Sequence, residues 1–247
     1  MKKFKTIVFD IDGTLTRSKL PLDEEIAKLL SLLMEKYQLA IISGAGFEQF
    51  KWQILDHLPN GSKLENLYLL PTDGTVFCRY NGDWQCQADP AMSPEDKTHI
   101  AQAFENIFEE SGLEKPKKLY GELVEDRGAQ LNFSALGQDA PIELKEKWDP
   151  DNKNRELIIK ILKNYLPGFS MRIGGTTSIE ITRSGIDKSY GLKKLMKLTN
   201  FSKDDILYVG DKFSEGGNDA PVLALGIEYK EVKGPEETKK VILELLT

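Results

Sequence analysis

The sequence is poor in cysteine and contains no long apolar run. Two cysteines, Cys78 and Cys86, are too few for a disulfide framework or a zinc pattern. We expect both to be reduced packing residues, although a hairpin would bring them face to face. The sequence contains no stretch of about 18 apolar residues, which is the length that a membrane-spanning helix needs. The first residues, 1–5, lack the apolar segment of a signal peptide, so we expect a cytoplasmic protein.

An excess of positive charge is also missing. The 247 residues include 33 Lys and Arg against 39 Asp and Glu, a net charge of −6. Such a chain has no overall attraction for nucleic acid or for an anionic membrane surface, and we expect neither as a partner. Its 40% hydrophobic and 29% charged residues are typical of a globular protein with room for one large domain or two smaller ones.

Short apolar runs alternate with helical periodicity at both ends of the chain. This alternation predicts an α/β fold with a Rossmann-like, doubly wound sheet. Asp187 is predicted to cap the helix with which this pattern resumes after an interruption. The predicted strands are 6–10, 39–42, 67–70, 206–209 and a run near 227–229.

The middle of the chain has a different character. Residues 75–80 and 84–87 flank Asn81-Gly82-Asp83, which predicts a β-hairpin. Further on, an antiparallel α+β domain is indicated by strand-like and helical segments at 93–112, 119–124, 129–134, 154–165, 169–173 and 178–183. We therefore predict a core domain of residues 1–87 and 185–247 and an inserted domain of residues 88–184.

Acidic residues follow two of the predicted strands. Asp10 and Asp12 end the first strand, and Asp211 follows the strand 206–209, with Asp219 a few residues later. Ligands bind at the carboxyl ends of strands in open α/β sheets, so these carboxylates are expected to meet in a crevice. The alternative for Asp10 and Asp12 is a solvated acidic turn.

This set of residues suits phosphoryl transfer. Asp10 is the expected nucleophile, and Asp12 is the expected acid and base. Mg²⁺ prefers carboxylate oxygens, which makes Asp10, Asp12, Asp211 and Asp219 the candidate metal ligands. The expected groups on the transferred phosphoryl are the Ser43 hydroxyl and the Lys188 ammonium.

Each of the supporting residues also has a plainer interpretation. Ser43 would otherwise mark a helix entry, and Lys188 would be a solvated lysine. Asp219 would be an N-cap of the following helix. The convergence of these residues at the ends of neighbouring strands favours a phosphoryl-transfer site over the three plainer interpretations.

The motifs resemble those of the haloacid dehalogenase-like phosphatases and phosphotransferases. The matching elements are Asp10-Ile11-Asp12-Gly13-Thr14, Ser43, Lys188, and Gly210-Asp211 followed by Asn218-Asp219. The insertion is similar to the C2 cap of subfamily IIB. The loop 210–219, and the cap segments 127–134 and 174–180, resemble those of eukaryotic-type phosphomannomutases. Related mutases tend to form dimers, which implies a homodimer.

The resemblance implies roles for residues of the cap. Arg127 would hold a phosphate, and Ser178 and Glu180 would bind sugar hydroxyls. Gly44 and Gln138 complete the implied substrate-binding set. The alternative for Arg127 is an ordinary ion pair with Glu125 or Asp126.

The chain also departs from this family. Gln138 and Lys145 stand where the family has arginines, and Glu180 replaces the usual aspartate. Neither Gln nor Lys reproduces the planar fork with which arginine holds phosphate. Because a mutase must retain a bisphosphate intermediate, we expect a Mg²⁺-dependent phosphatase acting on a sugar phosphate or a similar small metabolite. The alternatives are phosphomannomutase activity and a catalytically idle sugar-phosphate-binding module.

Overall fold

The computed structural model describes residues 4–17, 20–105, 107–174 and 176–247. The chain divides into two compact units. The first unit comprises Met1–Asp89 and Ile186–Thr247, and the second comprises Pro90–Gly185. The second unit is thus inserted into the sequence of the first.

Eleven strands are present among the described residues. They are β1 (Thr6–Asp10), β2 (Gln38–Ile42), β3 (Leu67–Leu70), β4 (Val76–Tyr80), β5 (Trp84–Ala88), β6 (Val124–Asp126), β7 (Gln130–Ser134), β8 (Phe169–Gly174), β9 (Ser178–Arg183), β10 (Ile206–Gly210) and β11 (Glu228–Glu231).

Nine α-helices lie within the same described ranges. They are α1 (Glu24–Met34), α2 (Phe47–Gln53), α3 (Pro94–Glu105), α4 (Ile107–Ser111), α5 (Ile142–Trp148), α6 (Lys153–Tyr165), α7 (Lys188–Thr199), α8 (Ala220–Leu223) and α9 (Pro235–Leu246). No helix in the described part of the chain is both long and apolar enough to cross a membrane.

The first unit contains a seven-stranded sheet in the order β11-β10-β1-β2-β3-β4-β5. The strands from β11 to β3 are parallel, and β4 and β5 extend the sheet in antiparallel fashion. Every residue of β1 and β10 is buried, as expected for parallel strands covered on both faces. The predicted α/β fold class is therefore confirmed.

Alternate residues of β1 enter two separate hydrophobic cores. Ile7 and Phe9 pack in one core with Ile26 of α1, whereas Val8 packs in the other with Leu192 of α7. Because β1 lies between β10 and β2, the carboxyl ends of these three strands are neighbours at one edge of the sheet. Asp10, Ser43 and Asp211 lie at or just beyond these strand ends.

The second unit contains a four-stranded antiparallel sheet in the order β6-β7-β9-β8. Leu131 and Phe133 of β7 lie on the apolar face, which forms a core with helical residues such as Ile100 and Ile158. The opposite face is polar but also buried. Its side chains that are at most 4% exposed are Gln130, Asn132, Ser134, Ser178 and Thr182.

Three predictions about local structure are wrong. The helix expected to extend to about residue 58 ends at Gln53, and a short 3₁₀ turn follows at Leu55–His57. The expected strand 119–124 is reduced to Val124, the first residue of β6. Residues 142–148, read as part of a polar stretch, form α5.

The expectation of two reduced cysteines is also wrong. Cys78 and Cys86 are directly opposite each other in the β4–β5 pair, with a Cα–Cα distance of 4.1 Å, and they form a disulfide. The pairing follows from the hairpin, whose turn at Asn81–Asp83 sets the register that brings the two side chains together.

Candidate active site

Asp10 and Lys188 form a buried ion pair at the centre of the site. Asp10 is the last residue of β1 and is 2% exposed. Lys188 is the first residue of α7 and is fully buried. The predicted cap is present, because the Asp187 side chain accepts a hydrogen bond from the Tyr190 backbone. Lys188 Nζ lies 2.6 Å from Asp10 Oδ1, so the interpretation of Lys188 as a solvated lysine is wrong.

Burial and charge act in opposite directions on this pair. Burial raises the pKa of Asp10 well above its usual value, although the Lys188 ammonium opposes the shift. Burial alone would lower the pKa of Lys188, but the carboxylates of Asp10, Asp219 and Asp73 outweigh it and raise that pKa. Lys188 is thus held as a permanent positive charge beside the predicted nucleophile.

Asp219 accepts four hydrogen bonds. Its Oδ1 accepts from Lys188 Nζ at 2.7 Å and from the Tyr208 hydroxyl at 2.6 Å. Its Oδ2 accepts from the backbone N–H groups of Asp211 and Lys212, at 3.0 and 2.9 Å. Burial opposes ionisation of Asp219, yet Lys188 and these hydrogen bonds lower its pKa.

The contacts of Asp219 define its part in the site. Asp219 occupies the predicted N-cap position of the short α8, but its side chain makes no capping hydrogen bond to that helix. A carboxylate has about four acceptor positions, and all four are occupied here. Asp219 therefore orients Lys188 and the Asp211 loop, and this favours an orienting role over direct metal ligation.

Asp10 and Asp211 offer the oxygen atoms that a cation would need. Carboxylate oxygens of Asp10, Asp211 and Asp219 all lie within 4.8 Å of one another. Asp10 Oδ2 and Asp211 Oδ1 are buried and accept no hydrogen bond from the described residues. Burial also raises the pKa of Asp211. A hard divalent cation such as Mg²⁺ fits this donor set, because it would satisfy both orphaned oxygens.

Two glycines allow the carboxylates to approach the backbone so closely. Gly13 has φ +87°, and a Cβ placed on it would collide with Asp211 Oδ2. A Cβ on Gly210 would lie 2.6 Å from Asp219 Oδ2. Any larger residue at these two positions would displace the carboxylates that build the cluster.

Ser43 and Gly44 lie beyond the end of β2, where both are buried. Ser43 does not cap a helix, since α2 has Gly46 as its N-cap. Ser43 Oγ instead accepts a hydrogen bond from the Ala45 backbone at 3.2 Å. An accepting hydroxyl still has a proton to donate, which suits the predicted contact with a phosphoryl oxygen.

The Asp12 carboxylate has different neighbours from those of the metal cluster. Its Oδ1 accepts a hydrogen bond from Gln53 Nε2 at 3.0 Å. Of the four predicted metal ligands, the side chains of Asp10, Asp211 and Asp219 come together, and that of Asp12 is not among them. Gln53 and Tyr208 were not predicted, because one is 41 residues away in sequence and the other resembles an ordinary core residue.

Arg127 lies in the second unit and forms the ion pair considered above. Its guanidinium contacts Glu125 Oε2 at 2.8 Å, and its side chain is 16% exposed. Asp126, the other candidate partner, pairs with Lys97 instead.

Gln138 and Lys145 are both held by hydrogen bonds within the second unit. Gln138 exchanges two hydrogen bonds with Asn132, one to the Asn132 backbone carbonyl at 2.9 Å and one from its amide at 3.2 Å. Lys145, 8% exposed, donates to the Gln138 carbonyl at 2.7 Å. The lysine that replaces a family arginine therefore supports the backbone at Gln138.

A row of polar residues crosses the sheet of the second unit. Glu180 of β9 is directly opposite Asn132 on one side and Arg172 on the other, and directly opposite residues share a face. Ser178 is on the same face, two residues from Glu180. Arg172 and Asn132 were not predicted as site residues. The alternation of polar residues along 170–174 was the available signal for Arg172.

Comparisons with known proteins agree with this architecture. Residues 26–247 match the family model for eukaryotic phosphomannomutase. The chain is 28% identical to a phosphomannomutase of Saccharomyces cerevisiae, over 97% of this chain and 93% of the yeast protein. It is 27% identical to human phosphomannomutase 1, over 88% of this chain and 82% of that protein.

Solved structures show the same fold at lower identity. SMU.1108c from Streptococcus mutans superposes with a TM-score of 0.66 at 20% identity, covering 99% of both chains. A haloacid dehalogenase-like hydrolase from Bacteroides thetaiotaomicron gives 0.65 at 15% identity, covering 98% of this chain and all of the other. The chain belongs to the eukaryotic phosphomannomutase family.

Proposed function

We propose that this protein is a Mg²⁺-dependent enzyme that transfers the phosphoryl group of a sugar phosphate through an aspartyl-phosphate at Asp10. The observation that carries the proposal is the contact between Asp10 and Lys188, both buried, beside the orphaned oxygen of Asp211. A buried carboxylate nucleophile needs positive charge around it before it can approach a phosphate.

The reaction uses the side chains of the first unit. A carboxylate oxygen of Asp10 attacks phosphorus, and the bond from phosphorus to the leaving oxygen breaks. The leaving oxygen takes the electron pair and receives a proton from Asp12. In the second step an acceptor hydroxyl returns a proton to Asp12 and attacks phosphorus, and the bond between Asp10 and phosphorus breaks. Lys188 and Ser43 bind the phosphoryl oxygens throughout.

The Mg²⁺ ion would be held by Asp10 and Asp211, with Asp219 fixing the Asp211 loop through its hydrogen bonds to the backbone. When bound, the ion supplies positive charge that offsets the carboxylates and the phosphate. Lys188 contributes one positive charge to three clustered carboxylates, so a divalent cation would bring the total close to neutrality.

The family relationship favours mutase activity, in which a sugar hydroxyl accepts the phosphoryl group from Asp10. The relatives in yeast and human are named phosphomannomutases, which makes mannose 1-phosphate and mannose 6-phosphate the first substrates to test. Hydrolysis, the outcome expected from the sequence, stays the second candidate. It is favoured by Gln138 and Lys145, which replace two phosphate-binding arginines and bond to Asn132 and to each other.

The polar face of the second unit is proposed to bind the sugar phosphate. Arg127 would bind a phosphate, and Ser178 and Glu180 would bind hydroxyls. Gln138 would offer one amide in place of a guanidinium fork, which predicts weaker retention of a bisphosphate than in a clamp of arginines.

The proposal is tested by following mannose 1-phosphate with ³¹P NMR in the presence of Mg²⁺ and a trace of mannose 1,6-bisphosphate. Conversion to mannose 6-phosphate supports the mutase, and release of inorganic phosphate supports the hydrolase. Asp10→Asn should abolish both, because it removes the nucleophile. An unchanged rate in Asp10→Asn, or no turnover of any sugar phosphate by the wild type, would contradict the proposal and favour an idle binding module.

A further inference from the structure

Gln53 is a buried amide that reaches the loop of the nucleophile from the end of α2. Its side chain is fully buried. Nε2 donates hydrogen bonds to Asp12 Oδ1 at 3.0 Å and to Thr16 Oγ1 at 2.9 Å. Its Oε1 accepts from Gln49 Nε2 at 2.9 Å. The Asp12 carboxylate, which only accepts hydrogen bonds, therefore requires the nitrogen end of the Gln53 amide to face it.

The orientation of this amide constrains the Asp12 carboxyl group. An amide nitrogen only donates, so the Asp12 oxygen that it contacts must accept. The Asp12 carboxyl group is therefore held at Oδ1 by a buried donor, which restricts its rotation about the Cβ–Cγ bond.

From this geometry we infer that Gln53 is a positioning residue, which holds the Asp12 carboxyl group in the orientation needed to give a proton to the leaving oxygen and to take one from the incoming hydroxyl. Gln53 acts through Asp12. The inference rests on the proposed function, since it concerns the step in which Asp12 gives its proton to the leaving group.

The loop does not depend on Gln53 for its shape. Backbone hydrogen bonds already close it, from Gly13 N to Thr16 O at 2.8 Å and from Thr16 N to Ile11 O at 3.0 Å. What Gln53 adds is a pair of side-chain hydrogen bonds, one of them to the carboxylate proposed as acid and base. A Gln53 variant of the same size should therefore keep the conformation of the loop, but its Asp12 carboxyl group should no longer be held in one orientation.

The kcat/KM values for two phosphate esters distinguish a positioning role of Gln53 from a purely structural role. Para-nitrophenolate leaves without protonation, whereas the alkoxide of glycerol 2-phosphate needs the proton of Asp12. The kcat/KM for each ester reports the steps up to the breaking of the bond to the leaving group. In Gln53→Met, we expect kcat/KM for glycerol 2-phosphate to fall about 100-fold and that for para-nitrophenyl phosphate to fall less than about 5-fold.

The measured quantity is the ratio of the two kcat/KM values in one preparation of the full chain. This ratio does not change if part of the protein is misfolded, because inactive protein lowers both values equally. Gln53→Glu, which keeps the size but replaces the donor with an acceptor, should shift the ratio in the same direction. Gln85→Met, an exposed glutamine on β5, is the matched control and should leave the ratio unchanged.

An equal fall for both esters in Gln53→Met, or no fall for either, would overturn the inference while the wild-type turnover still supports the proposed function. A wild type that releases phosphate from neither ester, and that turns over no sugar phosphate, would overturn the proposed function and the inference together. A selective loss for glycerol 2-phosphate in Gln53→Met and in Asp12→Asn, with para-nitrophenyl phosphate largely spared, is the expected result.

Discussion

Lys188 and Asp219 form an ion pair 2.7 Å long in which neither side chain is exposed to solvent. The same ammonium lies 2.6 Å from Asp10, so one lysine at the start of α7 joins the ends of β1 and β10. Such an arrangement is costly to break, since each remaining carboxylate would be left buried without its cation. Stability and chemistry therefore depend on the same contact.

Lys188→Met should destabilise the protein strongly. Removing the ammonium leaves Asp10 and Asp219 as buried carboxylates without their cation, and loss of one partner of a buried ion pair costs about 3–5 kcal/mol. Urea unfolding measures the change in the free energy of unfolding. Lys51→Met, at an exposed lysine of α2, is the control and should change it by less than about 0.5 kcal/mol. A loss below about 1 kcal/mol in Lys188→Met would contradict the geometry described above.

Mg²⁺ should stabilise the folded protein, and Asp211→Asn should remove most of this effect. A ligand that binds only the folded state adds about 2.7 kcal/mol at a concentration of 100 times its Kd. Differential scanning calorimetry with and without Mg²⁺ gives the shift in Tm for each variant. Asp56→Asn, an exposed aspartate, should keep the full shift. An equal shift in Asp211→Asn would remove Asp211 from the proposed ligands.

The centre of the site was predictable because its residues follow strands that are easy to recognise. Asp10 and Asp211 come after apolar runs whose neighbours in a parallel sheet can be inferred from order alone. Gln53 was not predictable, since its contact with Asp12 depends on where α2 ends. The helix was expected to continue to about residue 58, and in that case no feature of the sequence singles out Gln53.

Gln138→Arg should shift the reaction towards the mutase. An arginine would restore a planar fork for the phosphate distant from Asp10, so that the bisphosphate intermediate escapes less often. The measurement is the ratio of mannose 6-phosphate to inorganic phosphate formed from mannose 1-phosphate, and we expect it to rise about tenfold, which corresponds to about 1.4 kcal/mol.

Gln87→Arg is the matched control for this charge change, because Gln87 is an exposed residue of β5 in the other unit. It should leave the product ratio at the wild-type value. If Gln138→Arg also leaves the ratio unchanged, or lowers it, then position 138 does not determine the fate of the bisphosphate.

Tyr190→Phe should lower the free energy of unfolding at neutral and mildly alkaline pH. The loss should disappear at strongly alkaline pH. The Tyr190 hydroxyl donates to Asp89 Oδ2 at 2.7 Å, and this bond raises the pKa of Tyr190 to about 12. A raised pKa in the folded state means that the stabilisation is complete below the unfolded pKa of about 10 and is lost as the pH rises through about 12.

The difference in the free energy of unfolding between wild type and Tyr190→Phe should therefore be constant up to about pH 9.5, at about 1–2 kcal/mol, and shrink above it. Tyr229→Phe, at a tyrosine that is 45% exposed, is the control variant for the same substitution. Absorbance of the phenolate near 295 nm gives an independent check, since Tyr190→Phe should remove a tyrosine that ionises at about pH 12. A difference that grows with pH would contradict the assigned hydrogen bond.

Two parts of the fold could not be predicted, for different physical reasons. The segment that forms α5 is rich in charged residues, and Lys145 is buried there through a hydrogen bond to the Gln138 backbone carbonyl, which periodicity does not indicate. The state of Cys78 and Cys86 depends on redox conditions as well as on register, and sequence describes only the register. The polar face of β7 and β9 was visible as alternation, but its burial was not.

In sequence, the second unit is inserted between β5 and α7, outside the segments that carry Asp10, Ser43 and Asp211. Its length and content can therefore vary without altering the order or the spacing of the strands in the sheet of the first unit. In the proposed enzyme, mutations in the inserted segment can change the substrate that is bound and leave the reacting groups of the first unit unchanged. Substrate preference can therefore diverge between descendants that keep the same reaction chemistry.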